Sequence, residues 1–186
     1  MSHSTRFNYI INELYKNSQK WVFSPIYTIL DGARDEAIYA KLMVSDVEEV
    51  CLYRGKQADA LAEVAPYLVE LDREDSDSFL EWFLSKGWGK SWGIFIESSA
   101  SSDELKAHFQ SLITVYDEYD VPFFFRYYDP RVLRTYLPTC NEVELQILFG
   151  PVRHYYVETE DGSSMTEYSC VYGHLTRRIT VWFWII

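Results

Sequence analysis

Cysteine, histidine and basic residues are scarce in this sequence of 186 residues. The three cysteines, Cys51, Cys140 and Cys170, are far apart and form no CxxC pair, which excludes a disulfide framework and a zinc finger. We therefore expect reduced thiols, as in the cytoplasm. The 17 Lys+Arg against 28 Asp+Glu give a net charge of -11. This charge would repel a phosphate backbone, so nucleic acid is not an expected partner.

Long hydrophobic runs are also missing. The longest, VWFWII, is far shorter than the ~20 residues that cross a membrane, and the first twenty or so residues contain no signal-peptide core. Hydrophobic residues still make up 48% of the chain and aromatic residues 17%, which is typical of a chain that folds by itself. We expect a soluble, cytoplasmic protein with a single domain over residues 1–186 and no membrane span.

Strand and helix patterns alternate up to about residue 138. Strands are predicted over 21–30, 50–53, 67–71, 92–98 and 123–128. Helices are predicted around 7–14, 31–42, 79–83, 105–112 and 130–137, the fourth opened by a capping box of Ser101 and Glu104. Farther on, VELQILF, VRHYYVE, an Asp161-Gly162 turn and ITVWFWII predict an antiparallel meander of about four strands. The predicted fold class is α/β, a mixed β-sheet flanked by helices with an antiparallel, strand-rich C-terminal part.

The segment GWGKSWG at residues 87–93 contains two patterns that suggest catalysis. Gly89-Lys90-Ser91 resembles the end of a phosphate-binding loop, but Leu84 stands where the first glycine is required. Gly89-x-Ser91-x-Gly93 matches a nucleophile elbow, yet a predicted strand, not a helix, follows the serine. We interpret the segment as the glycine-rich end of a helix.

No metal or cofactor site is expected either. His3, His108, His154 and His174 form no HxxxH pair, and His108 lies on the apolar face of a predicted helix, which favours a histidine hydrogen-bonded at the edge of the core. The acidic run 72–77 lacks the glycine and glutamate positions of a calcium loop. We interpret it as a solvated loop.

Five charged residues lie within apolar sequence: Asp31, Arg34, Arg126, Asp129 and Arg131. Asp129 precedes a proline, the pattern of a helix N-cap. The structural interpretation is that each carboxylate caps a helix and accepts a guanidinium, Asp31 from Arg34 and Asp129 from its neighbouring arginines. The alternative is a recognition site at the strand ends, where open α/β sheets bind ligands.

Seven segments occur in an order that resembles one known family: LDGARDEAIY (30–39), CLYRG (51–55), VAPYLVEL (64–71), FLEWFLSKGWGKSWGIFIES (79–98), ELKAHFQSLITV (104–115), FRYYDPRVLRTYLPTC (125–140) and LFGPV (148–152). The chain resembles the domain-of-unknown-function 4123 family, the adaptor chaperones of bacterial type VI secretion. The resemblance covers roughly residues 21–152, and YYDPRVLRTYLP is its most specific piece.

The resemblance implies a loading role without catalysis. Such adaptors bind a toxic effector in the cytoplasm, often through its N-terminal or PAAR-linked region, and help place it on the VgrG spike without travelling with it. An acidic, aromatic-rich chain fits this role, because an apolar client segment must be shielded by apolar surface. Two other functions stay open: a hydrolase-like enzyme using Ser91 or His108, and an immunity protein that binds the active site of a toxin.

The last predicted strand, 180–186, places Trp182, Trp184 and Ile186 on one face. Helices of this chain, a second subunit or the client would have to cover that face. If the client covers it, Trp182→Ala combined with Trp184→Ala weakens client capture more than tenfold, or ~1.4 kcal/mol, and leaves the melting temperature unchanged. A collapsed fold identifies the two residues as core, whereas a stable variant that captures its client normally contradicts the interface.

Overall fold

The computed structural model describes residues 3–16, 24–71 and 77–181. The helices in these ranges are α1 (His3–Leu14), α2 (Glu36–Val44), α3 (Gly55–Ala60), α4 (Asp77–Gly87), α5 (Ser102–Leu112), α6 (Pro130–Tyr136) and α7 (Glu142–Phe149). The strands are β1 (Ile26–Asp31), β2 (Glu49–Cys51), β3 (Pro66–Leu71), β4 (Gly93–Ser98), β5 (Thr114–Tyr116), β6 (Pro122–Phe124), β7 (Val152–Glu158), β8 (Ser164–Val171) and β9 (His174–Val181). Short 3-10 helices are Gly32–Arg34, Ala62–Val64 and Leu137–Thr139.

Seven strands form one sheet in the order β2-β3-β1-β4-β7-β8-β9. Every neighbouring pair is antiparallel, so the predicted α/β class is confirmed but the sheet is not mixed. The described sheet lacks parallel neighbours because β1 lies between β3 and β4. The strands β3 and β4, joined by α4, run parallel to each other as in a strand–helix–strand unit, but β1 lies between them and pairs antiparallel with both.

Helices cover both faces of this sheet. On one face, Ile29, Ile94 and Ile96 pack into a core with residues of α5, α6 and α7. On the other, Leu30 and Phe95 pack with residues of α1, α2 and α4. The middle strand β4 is buried at all six positions, as predicted for a doubly covered strand.

The segment 142–149 is a helix, and the prediction of a strand there was wrong. Asn141 and Glu144 form a capping box that satisfies the first backbone amides. Leu145, Leu148 and Phe149 then recur at helical spacing and are buried. Over so short a segment, the apolar residues of VELQILF fit both the two-residue period of a strand and the ~3.6-residue period of a helix. Packing against the sheet favours the helix. The C-terminal meander therefore has three described strands, with its first turn at Asp161-Gly162 as predicted.

The predicted strand 123–128 was wrong over most of its length. Only Pro122–Phe124 forms a strand, and it pairs with β5 in a separate two-stranded hairpin. Phe125 and the next residues lead instead into α6. The predictions over 21–23 and 72–76 lie outside the described residues, and so do Trp182, Trp184 and Ile186.

Among the helices described here, none is long and apolar enough to cross a membrane.

Candidate functional site

A network of buried carboxylates and half-exposed guanidiniums joins the end of β1 to the start of α6. Asp31, 1% exposed, ends β1 and accepts a hydrogen bond of 3.2 Å from the amide of Ala33, which caps the following 3-10 helix. Its second carboxylate oxygen accepts from the Arg126 guanidinium. Arg126 also lies 3.9 Å from a carboxylate oxygen of Asp129, so one arginine bridges two acids from distant parts of the chain.

Asp129 caps α6, as predicted. Its carboxylate accepts from the Arg131 amide at 2.9 Å and from the Arg131 side-chain Nη2 at 2.6 Å. The predicted pairing of Asp31 with Arg34 was wrong, because Arg34 instead donates to the carbonyl oxygen of Lys90 at 3.2 Å. Local spacing suggested Arg34, whereas the actual partner comes from 95 residues away along the chain.

The two buried carboxyl groups have opposite pKa shifts. Burial raises the pKa of Asp31 above its usual value, although the hydrogen bond and charge of Arg126 act in the opposite direction. Burial also acts to raise the pKa of Asp129, but the hydrogen bonds from the side chain and amide of Arg131 outweigh it and the pKa lies below its usual value. Both carboxylates are thus held by hydrogen bonds from backbone amides and guanidinium groups of the chain.

Beside this network lies an open groove of about 690 Å³, lined by Arg126, Asp129, Arg131, Val132, Thr135, Tyr136 and Thr139. The side chains of Arg126 and Arg131 remain 40% and 51% exposed. Together with threonine and tyrosine hydroxyls, they offer hydrogen bonds to the carbonyl and carboxylate groups of a polypeptide.

The hairpin formed by β5 and β6 stands next to this groove. Phe125, which follows β6, packs edge-to-face against Tyr136 with ring centroids 4.7 Å apart. Six large apolar residues of the hairpin are exposed: Val115, Tyr116, Tyr119, Val121, Phe123 and Phe124. We call these six residues the aromatic hairpin surface. Sequence reasoning missed it, because FFFRYY resembled a buried strand; the preceding DEYD turn and Pro122 were the signals of a hairpin edge.

The glycine-rich segment 87–93 is docked on the β7–β8 hairpin. Glu158 accepts hydrogen bonds from the amides of Gly89 at 2.5 Å and Ser91 at 2.7 Å, and Trp88 Nε1 donates to the carbonyl of Gly162 at 2.8 Å. Burial raises the pKa of Glu158. A carboxylate of the chain itself therefore occupies the loop amides that a phosphate would need. As predicted, α4 ends at the first glycine of this segment.

His108 belongs to α5, and its ring lies against the end of α7. Its Nε2 is 3.2 Å from the Leu148 carbonyl oxygen, and burial lowers the pKa of the ring. The space next to the Cα of Gly150 is filled by this imidazole. These contacts agree with a histidine at the core edge. Within the described ranges, no group of three or more His, Cys, Asp or Glu side chains is arranged to hold a metal ion.

Removing the α6 cap should destabilise the fold. We expect Asp129→Ala to lower the free energy of unfolding by about 0.5–2 kcal/mol, as other N-cap removals do. Asp129→Asn is the matched control, because asparagine also caps helices, and it should lose less. Urea denaturation measures both. An unchanged stability of Asp129→Ala would contradict the capping role of Asp129.

Removing the bridging arginine should have a pH-dependent effect. Arg126→Gln should cost about 2 kcal/mol at neutral pH, less than a fully buried pair because Arg126 is 40% exposed. Without the guanidinium, the pKa of Asp31 rises further in the folded state. Stability then falls as pH rises from the ordinary carboxyl pKa of about 3.9 through the folded-state pKa. The loss should therefore be smallest near the ordinary pKa and complete at neutral pH.

Urea denaturation at neutral pH and at pH ~3.9, the ordinary carboxyl pKa, measures the loss of stability at each pH. Arg153→Gln is the control, because Arg153 contacts only the Ser99 hydroxyl in the hydrogen bonds described. Equal losses for Arg126→Gln at the two pH values would contradict a role for Arg126 in holding the ionised Asp31.

Comparison with known proteins gives one family and no individual relative. Residues 26–146, about two thirds of the chain, match the family described as "Domain of unknown function (DUF4123)". No curated protein and no solved structure matches the chain. The matched region spans β1 through most of α7 and so contains the Asp31–Arg126–Asp129 network, the groove and the aromatic hairpin surface. The chain therefore belongs to the DUF4123 family.

Proposed function

We propose that this protein is a non-enzymatic adaptor chaperone of bacterial type VI secretion. It binds a toxic effector in the cytoplasm, through the N-terminal or PAAR-linked region of that effector, and helps load it onto the VgrG spike. Membership of the DUF4123 family supports the proposal, because the sequence resembles the adaptors of that family. The observation that carries it is the aromatic hairpin surface.

The exposed aromatic residues of this hairpin favour the presence of a binding partner. Tyr116 is 65% exposed, Phe123 52% and Phe124 62%, although most of the other aromatic rings that the structure describes are buried in two cores. Exposed apolar residues on both faces of a hairpin are an aggregation hazard unless another polypeptide covers them. A client segment rich in apolar residues would cover it and would be shielded in turn.

The groove beside the hairpin adds polar recognition to this apolar surface. Arg126 and Arg131 both line the groove and both lie near the same carboxylate oxygen of Asp129. The ring of Tyr136 also lines the groove and packs against Phe125 at the base of the hairpin. Aromatic and arginine side chains are the residue types that contribute most at protein interfaces. The combined surface favours a polypeptide client over a small substrate, since the groove is open to solvent rather than enclosed.

The two alternative functions have less support. An enzyme would use Ser91 or His108. The amide of Ser91 donates to Glu158, and the ring of His108 lies against the Leu148 carbonyl. These contacts lie on different elements, so the serine and the histidine do not form one catalytic site. An immunity protein would hold the catalytic domain of a toxin. An adaptor would hold its delivery segment, so the mapped contact separates the two.

The proposal is tested by capture from the native cytoplasm and by secretion. A tagged chain should capture one secreted toxin together with VgrG, identified by mass spectrometry. Phe123→Ser combined with Phe124→Ser should reduce capture at least tenfold, or ~1.4 kcal/mol, and should stop toxin secretion. The control is Val143→Ser combined with Ile147→Ser, since these residues are 63% and 59% exposed on α7 and lie outside the hairpin.

Three results would contradict the proposal: capture of the toxin by its catalytic domain, normal secretion without the chain, or equal capture by the hairpin variant and its control. Ser91→Gly and His108→Gln test the enzyme alternative. Ser91 has φ 57°, which glycine tolerates. Loss of delivery by either variant, with stability and client binding intact, would favour an enzyme.

A further inference from the structure

We propose that the client enters as an extended apolar strand with basic residues at its amino-terminal end, and that it pairs with the outer edge of β5. This inference rests on the proposed function, because it names the kind of segment that an adaptor of this structure would hold. It depends on three observations about the hairpin: the direction of its backbone groups, the character of its two faces and the charge of its turn.

The backbone of the hairpin has one edge open to a further strand. The Phe125 amide donates to the Ile113 carbonyl at 2.8 Å, and the Asp117 amide to the Val121 carbonyl at 3.1 Å. Hydrogen-bonded pairs alternate in an antiparallel ladder. The backbone groups of Tyr116 and of its partner Pro122 therefore point outward, away from each other.

Proline makes the two edges unequal. Pro122 has no N–H, so the outer edge of β6 lacks a donor at this position, as is usual where a protein blocks strand addition. The outer edge of β5 keeps the amide of Tyr116. In the part of the chain that the structure describes, the hairpin sheet consists of β5 and β6 alone. Strand addition is therefore favoured at β5.

Both faces of the hairpin are apolar. Register places Tyr116 and Phe124 on one face and Val115 and Phe123 on the other, and all four are exposed. A strand beside β5 would thus meet apolar neighbours on each face. Its own side chains should be apolar at successive positions, unlike the alternating pattern of an ordinary surface strand.

The turn of the hairpin supplies the charge. Asp117 accepts from the amides of Tyr119 and Val121, at 2.9 Å each, and so fixes the turn. Glu118 and Asp120 are exposed, and no ion pair among the described residues involves them. In an antiparallel addition, the amino-terminal end of the new strand lies beside this turn, so lysine or arginine is expected there.

The same charge disfavours a second copy of this chain as the occupant. Two copies paired through β5 would each bring a net charge of -11 and an acidic turn, and no basic segment of the hairpin would meet the partner's turn. The occupant is therefore a different polypeptide, with complementary charge.

Three synthetic peptides test the chemistry of the occupant in the full chain. The probe is Lys-Lys-Val-Tyr-Ile-Val-Thr-Ser. The controls move both lysines to its carboxyl end or replace them with glutamates. Fluorescence anisotropy should give the highest affinity for the probe. Glu118→Gln combined with Asp120→Asn should weaken its binding about fivefold at low ionic strength and remove most of the salt dependence.

A pair of substitutions at one position tests the strand pairing itself. Tyr116→Ala and Tyr116→Pro both remove the ring, but only proline removes the outward amide. Tyr116→Pro should bind the probe about fivefold more weakly than Tyr116→Ala, the effect of one lost hydrogen bond. The melting temperatures of the two variants should agree, because the Tyr116 amide makes no bond inside the hairpin.

Equal affinity of the two variants for the probe, or of the three peptides for the natural chain, would overturn the strand proposal. So would concentration-dependent dimerisation of the free chain that Tyr116→Pro abolishes. These outcomes are distinct from failure of the adaptor function. Toxin capture that depends on Phe123 and Phe124 but not on the Tyr116 amide or the acidic turn would leave the adaptor role intact.

Discussion

The ion pair between Asp31 and Arg126 fixes the relation between the sheet and the surface that surrounds α6. Asp31 is at the end of a strand buried on both faces, and Arg126 belongs to the segment that connects the aromatic hairpin to α6. A carboxylate in this position must be paired, because a buried unpaired charge costs several kcal/mol. The arginine that pairs with it is thereby fixed beside Asp129, which in turn fixes the first turn of α6. The groove and the hairpin base take their positions from this chain of contacts.

The division between structural and exposed aromatic residues follows the same geometry. Tyr127 and Tyr128, on one side of Arg126, are buried against the core, while Phe123 and Phe124, a few residues earlier, are exposed. The chain changes from a projecting hairpin to a core segment within four residues, at Phe125. Exposed apolar residues also occur on other elements, such as Val143 and Ile147 of α7, but the hairpin brings six of them together on one short element. The glycine-rich segment 87–93 has the opposite role, since Glu158 takes up its free amides and joins it to the β7–β8 hairpin.

Much of the fold could be predicted from local sequence. The capping box of Ser101 and Glu104, the Asp129 cap and the apolar strand β4 were all identified because each depends on neighbours within a few residues. Predictions failed where a short apolar segment fits two structures. The segment 142–149 became a helix because a capping box and the sheet surface favoured it, and 123–128 was divided between a hairpin and a loop because Phe123 and Phe124 had no core to enter. Arg34 was assigned to Asp31 because pairing over 95 residues leaves no local trace.

The sequence by itself determined the helix caps at Ser101 and Asp129, the buried middle strand, the acidic character and the family to which the chain belongs, because these depend on residue type and short-range order. Only the tertiary structure decided that all sheet neighbours are antiparallel, that Arg126 pairs with Asp31, and that Glu158 occupies the amides of the glycine-rich loop. It also decided which apolar residues stay outside. A hydrophobic residue type favours burial, but the packing of strands and helices sets how many side chains the core can hold. The apolar residues of the hairpin lie outside that core and form the exposed surface.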